Sequence, residues 1–358
     1  MKKFLILIAA LLFTLPAPAE AAGNTIWLAT TANRNYAGEI TNKNFEKSLA
    51  PEGELGKLVF NPVSRPRTWI MDAALLEDVQ HLIEKESTLA TNWLAQVKRA
   101  SNRDTIYATA YGNPDVIYLN SLAPTELNFY YAVGLQHLQA VLLKNVISEK
   151  GSGYAWKRAK INDEVREFFN VARAEFTLLS TVVNPKEVET DRARIAQLFS
   201  PLISSEERAA LLKDFESGQA NVINKLRIVS GRYQITTAKE KIPVTLVNDF
   251  NVPVTVDLFF TPLNNRVVFP QYRQITLNAK SKIQVSVPIG TIAAGDTSVI
   301  ARFENGKGEV VGANGMIELS STIISPAVSR FTTGAGLVLI LAAVAQSVRR
   351  VRKSRASK

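Results

Sequence analysis

Two aspartates stand where an α/β protein does its chemistry. Asp72 closes the strand-like run Arg67-Thr-Trp-Ile-Met-Asp72, and Asp115 closes the turn Tyr111-Gly-Asn-Pro-Asp115 after a second such run, Thr105-Ile-Tyr-Ala-Thr-Ala110. Ligands of parallel α/β sheets bind beyond the carboxyl ends of the strands. Two carboxylates facing one cleft there are the acid and the base or nucleophile of glycan-processing sites. Asp72 and Asp115 are therefore the catalytic candidates, with Tyr111, Asn113 and Asp115 as ligand contacts. Trp27, Trp69, Trp93 and Trp156 are the aromatic faces on which sugars could stack. Each of these residues also has a structural use open to it. Asp72 is a good N-cap for a helix at Ala73, Asn113 and Asp115 are common turn residues, and tryptophans belong to cores.

Other chemistries are poorly represented. The two histidines, His81 and His137, form no His-x-x-x-His or Glu-x-x-His pair, and both fit ordinary helix positions. Cysteine is absent, as are a Gly-x-Ser-x-Gly elbow and a Gly-x-x-x-x-Gly-Lys-Ser/Thr phosphate loop. No metal or cofactor is expected.

The elements that would position the candidates follow from hydrophobic period. Residues 23–150 alternate strand-like runs, beginning with Thr25-Ile-Trp-Leu-Ala-Thr30, with helical stripes. Leu75, Leu76, Val79, Leu82 and Ile83 fall on one face, a second helix starts near Thr88, and a long one spans Thr125 to about Ile147. This order predicts a parallel sheet. Residues 151–230 read as a helical segment packed on that domain, with Val165, Phe168, Phe169, Ala172 and Phe176 as one stripe. Ser204 and Glu207 form a capping box for a helix continuing toward Ile228. From residue 231 to 323 short alternating runs are separated by turn residues, with Asn305-Gly306 as a hairpin signal. That pattern predicts an immunoglobulin-like β-sandwich.

The ends predict export and anchoring. Lys2 and Lys3, an apolar stretch from Phe4 to Leu15, and small residues around Ala19 and Ala21 have the order of a signal peptide over 1–21. A stalk over 324–330 leads to 331–348, which carries no charge and is long enough to cross a bilayer as a helix. The flanking cations Arg349, Arg350, Arg352 and Lys353 begin a basic tail over 349–358, the cytoplasmic side of a span. The expected placement is single-pass in the cell membrane, with the bulk extracytoplasmic and the C-terminus cytoplasmic. Six cations of this tail account for most of the net charge of +10, so nucleic acid is not an expected partner.

Three segments together resemble a known family: Trp69-Ile-Met-Asp72-Ala-Ala-Leu-Leu76 with Trp93-Leu94, Tyr107-Ala-Thr-Ala-Tyr111-Gly-Asn-Pro-Asp115, and Ile242-Pro-Val-Thr-Leu-Val-Asn248-Asp249 with Pro253-Val-Thr-Val256. They are similar to the actinobacterial uncharacterised envelope proteins, secreted glycoprotein-like, encoded beside MurJ-like lipid II flippases. The resemblance implies a shortened, barrel-like α/β domain akin to polysaccharide deacetylases or glycoside hydrolases. It also implies that Asn113 stands where such proteins often carry an aspartate. The expected fold is thus a multidomain α/β plus all-β chain with one C-terminal transmembrane helix. The leading expectation is a non-catalytic cell-envelope protein binding a wall glycan or a partner of cell-wall assembly. Alternatives are a polysaccharide-processing enzyme using Asp72 and Asp115, and an accessory subunit of the lipid II or peptidoglycan machinery.

Overall fold

A computed structural model describes residues 24–29, 32–150, 158–322 and 335–347. Contacts divide the chain into two compact units, one of Met1–Val171 with Glu189–Gly218, the other of Ala172–Val188 with Gln219–Lys358.

The first unit is built on four short strands, β1 (Thr25–Leu28), β2 (Thr68–Met71), β3 (Thr105–Ala108) and β4 (Ile147–Ser148), paired in parallel in sequence order. A strand buried on both faces needs a continuous apolar run, which Trp69, Ile70 and Met71 give β2, while β1 and β3 alternate and bury Ile26 and Leu28, and Ile106 and Ala108. The connections carry α1 (Phe45–Ser48), α2 (Glu54–Phe60), α3 (Ala73–Glu84), α4 (Thr88–Ala100), α5 (Val116–Leu122) and α6 (Pro124–Leu142). Beyond β4 come α7 (Asp163–Leu179), α8 (Glu189–Arg194), a 3-10 turn at Ile195–Phe199, and α9 (Ser205–Ile223). β1 and β4 each have one neighbour, so the described strands form an open sheet rather than the expected barrel. α7 and α9 contribute residues to both units.

The second unit holds β5 (Leu226–Ile228), β6 (Gly231–Ile235), β7 (Lys239–Asn248), β8 (Val254–Pro262), β9 (Val267–Val268), β10 (Tyr272–Leu277), β11 (Ser281–Thr291), β12 (Gly295–Glu304) and β13 (Val310–Ser321). The path runs β10-β8-β12-β13-β5-β7-β11-β9, with β6 added parallel to β13. β5 joins the two arms, parallel to β13 and antiparallel to β7. Burial alternates along each arm: Ile242, Val244 and Leu246 on β7, Val299, Ala301 and Phe303 on β12, and Ile317 and Leu319 on β13. One face of each arm is thereby closed over a common core. The Asn305 side chain accepts from the backbone N–H of Lys307 and of Glu309, which shapes the β12–β13 hairpin.

The C-terminal expectation is corrected. Among the described residues no helix is long and apolar enough to cross a membrane. The described helix over 335–347, α10, has thirteen residues. This overturns the transmembrane helix over 331–348 and the single-pass membrane placement built on it. The expected signal peptide (1–21), the stalk (324–330) and the tail with Arg349, Arg350, Arg352 and Lys353 lie outside the described residues.

Candidate functional site

The parallel ladder aligns the carboxyl ends of the strands. Asp72 N–H donates to Leu28 O (2.9 Å), Thr109 N–H to Met71 O (3.0 Å) and Glu149 N–H to Ala108 O (2.8 Å). Asp72 and the 109–115 loop therefore start from one edge of the sheet.

Asp72 is buried and caps α3, its Oδ1 accepting from Ala74 N–H (3.1 Å). The same oxygen accepts from Gly112 N–H (2.9 Å), so the acid ties the ends of β2 and β3 together. Gly112 has φ +76, and a Cβ there would lie 2.8 Å from Gln197 Cγ and 3.0 Å from Gln197 N. Only glycine fits both the backbone and the space. Burial pushes the Asp72 carboxyl up to about 7, against the pull of these two N–H donors.

Asp115 is fully buried and caps α5 through Tyr118 N–H (2.9 Å). Its other oxygen accepts from Arg158 Nε (3.0 Å) and Ala159 N–H (2.9 Å). Asn113 is buried at φ +47, and its Oδ1 has no partner among the described residues. Tyr111 is buried, and its hydroxyl donates to Glu77 Oε2 (2.6 Å). Trp69 and Trp93 lie in the core, where their indole N–H groups donate to Asp104 Oδ2 (2.8 Å) and Leu55 O (3.1 Å).

Around Tyr111 lies a network whose members are far apart in sequence. Glu77 on α3 accepts from Tyr111 and meets His137 Nδ1 on α6. The other ring nitrogen, His137 Nε2, faces Glu189 Oε2 on α8 at 3.6 Å. Arg34, after β1, bonds Asp78 through Nε and lies 3.5 Å from Glu77 through Nη2. Asn33 Nδ2 donates to the second oxygen of Asp78 (3.0 Å). Gly134 brings α6 close enough for these contacts, since a Cβ there would lie 2.4 Å from Thr109 O. The bond to Glu77 raises the His137 pKa above its ordinary value, with Glu189 adding to the effect. Burial raises Asp78 against the pull of Arg34.

The chemistry available is narrow. The His137 imidazole has a carboxylate near each nitrogen, Glu77 at Nδ1 and Glu189 at Nε2, so both ring nitrogens are taken up within the network. Each acid at this edge is engaged by a cation or by N–H and O–H donors. One signal of the network was present in the sequence: Asp78 stands three residues after Leu75 and four before Leu82, an acid on the apolar stripe of α3. A buried acid there implies a partner brought from elsewhere.

Replacing Asp72 separates capping from ionisation. Asp72→Asn keeps an Oδ1 acceptor for both N–H groups, whereas Asp72→Ala should cost about 2–4 kcal/mol from the lost cap and an unsatisfied buried N–H. The folded pKa of Asp72 lies above its unfolded value, so the native state binds this proton more tightly. That contribution is fully present below about pH 4 and is lost as pH rises toward about 7. The stability of Asp72→Asn relative to wild type should therefore improve from pH 4 to pH 8 in urea melts, and a constant difference would refute the buried ionisation.

Fold and site together define a two-unit protein, a small parallel α/β unit with a closed polar network at its carboxyl edge and a β-sandwich unit. The chain belongs to the family of unknown function DUF6049, which matches residues 77–356. No curated protein matches the sequence. Among solved structures the chain is similar to WR4, an MSP family member of C. elegans (9% identity, 28% of this chain and 99% of that one, TM-score 0.22). It is also similar to a FixG-related protein from Vibrio parahaemolyticus (9%, 27% and 94%, 0.22) and to PapD-like domain 7 of human CEP192 (13%, 28% and 86%, 0.22).

Proposed function

We propose that this is a non-catalytic binding protein of cell-wall assembly, with the α/β unit taking a wall glycan or a glycan-bearing partner. The observation that carries the proposal is that the acids of the sheet's carboxyl edge are spent on structure: Asp72 and Asp115 as caps, Glu77 and Asp78 in the network. Beside the network a groove of about 590 Å³ is lined by Arg34, Asn35, Thr41, Asn42, Lys43 and Asp214, among others. Amides, hydroxyls and charges in an open groove suit the hydroxyl-rich surface of a sugar chain. The wall setting rests on the motif resemblance to envelope proteins.

One observation favours the enzymatic alternative. A carboxyl held near 7, as in Asp72, is poised for general-acid work. The two readings separate in one experiment. Purified protein should be retained by peptidoglycan or wall polysaccharide and release neither reducing sugar nor acetate from it. Turnover abolished by Asp72→Asn would establish the enzyme, and failure to retain any wall glycan would remove the binding reading.

A further inference from the structure

Elsewhere in the first unit, a groove of about 560 Å³ is lined by Tyr118 on α5, Lys160 and Asn162 before α7, and Ser205 and Arg208 on α9. Its side chains carry two cations and no acid. Arg208 is 4% exposed, which makes it a buried guanidinium. Its Nε donates to Leu198 O (3.0 Å) and its Nη2 to Ser200 O (2.8 Å). Neither acceptor is charged, and Arg208 has no carboxylate partner among the described residues. Burial without a counter-charge lowers its pKa. A buried cation neutralised only by carbonyl dipoles is uncommon, because desolvation is normally offset by an opposite charge.

The surroundings supply donors. Arg208 Nη1 is left over from the two carbonyl bonds. Lys160 is exposed and makes no ion pair among the described residues. Asn162 spends its Oδ1 on Val165 N–H (3.1 Å), which leaves its NH2 group to the groove. Tyr118 and Ser205 add hydroxyls. Several neighbouring acids are engaged elsewhere: Asp163 pairs with Arg166 (2.8 Å), Glu207 accepts from Ser204 N–H (2.8 Å), and Asp115 holds Arg158, while Glu164 and Glu206 are not among the lining residues.

We infer that this groove binds a phosphate group carried by a small molecule or sugar, with Arg208 and Lys160 as its charge partners and Asn162, Tyr118 and Ser205 as hydrogen-bond donors. Two cations match a dianion better than the single charge of a carboxylate. The guanidinium is pre-positioned by its own carbonyl bonds, so binding orders little beyond Lys160. The site is separate from the glycan groove at Arg34, and its existence does not depend on that reading.

Calorimetric titration of the full chain with inorganic phosphate tests it, alongside glucuronate as the carboxylate comparator. Wild type should bind phosphate saturably and more tightly than glucuronate. Lys160→Glu, at an exposed position, should weaken phosphate by about tenfold or more through loss of a charge-assisted bond and added repulsion. Lys57→Glu makes the same charge change on exposed Lys57 of α2, outside this groove, and should bind as wild type does. Unaltered melting of both variants shows that the fold is kept. The proposal is overturned by no saturable phosphate binding in wild type, by equal effects of the two variants, or by glucuronate binding as tightly as phosphate. Loss of wall-glycan retention in wild type with phosphate binding intact would remove the glycan reading alone.

Discussion

Asp78→Ala should destabilise the α/β unit by about 3–5 kcal/mol, the range seen when one partner of a buried ion pair is removed. Asp78 is 2% exposed and accepts from Arg34 and Asn33. Asn33 is itself buried, and its Oδ1 accepts from Asn42 Nδ2 (2.9 Å) while its carbonyl accepts from Thr41 N–H (2.9 Å). Arg194 holds the same loop from the other side, donating to the carbonyls of Arg34, Asn35 and Tyr36 at 3.2, 2.8 and 3.0 Å. Losing the carboxylate leaves a guanidinium in a site built to neutralise it and frees an amide from the loop. A pair of neutral replacements should behave differently. Asp78→Leu combined with Arg34→Met removes both charges and should recover much of the loss. Urea unfolding of the single and double variants measures this, and an Asp78→Ala penalty below about 1 kcal/mol would place the pair among weak surface interactions instead.

The α/β framework was legible wherever a run was long enough to show a period. The strand-like runs ending near Thr30, Asp72 and Ala110 correspond to β1, β2 and β3, and the stripe on Leu75, Leu76, Val79 and Leu82 is the buried face of α3. β4 escaped because two residues carry no period. The helical period predicts that α6 continues to about Ile147, but it stops at Leu142 and Leu143 turns at φ 56 with no glycine or proline to mark the end. α9 was expected to run to Ile228, but it ends at Ile223, and Leu226-Arg-Ile228 joins the sheet as β5. Three residues of alternation cannot outweigh a helical stripe unless the pairing partners, here Val247 and Ala313, are known.

The site was legible residue by residue and hidden as a constellation. Asp72 stands before the helical stripe at Ala73, so its capping is visible from local spacing, whereas Asp115 reads as a turn residue and in the fold caps α5. Arg34, Glu77, His137 and Glu189 meet from four separate stretches of chain, and no spacing rule links them. His137 looked like an ordinary helix residue because its partners lie 60 and 52 positions away. Asp78 went unread as well, although an acid on the apolar stripe of α3 is a local signal that a partner must come from elsewhere.

Asn248→Ala should cost the β-sandwich unit about 2–4 kcal/mol, from several buried polar groups losing one shared partner. Asn248 is fully buried at the end of β7. Its Nδ2 donates to Val252 O (2.9 Å), Leu277 O (3.2 Å) and Asn278 O (2.9 Å), and its Oδ1 accepts from Phe250 N–H (3.0 Å). One amide therefore ties the turn after β7 to the end of β10 and the turn that follows. Aspartate is the informative control, because it keeps the acceptor for Phe250 but sets a negative charge against three carbonyls. Asn248→Asp should be less stable than Asn248→Ala at pH 7 and should regain ground as acidification protonates it and restores a donor. The next residue obeys the opposite rule: Asp249 pairs with Arg227 at 2.5 Å, with nearly half its side chain exposed, so its charge is tolerated where that of a neighbouring aspartate is not. Thermal unfolding of the two Asn248 variants across pH 4 to 8 decides this, and an Asn248→Asp protein as stable as wild type at neutral pH would mean that the carbonyls do not need the amide.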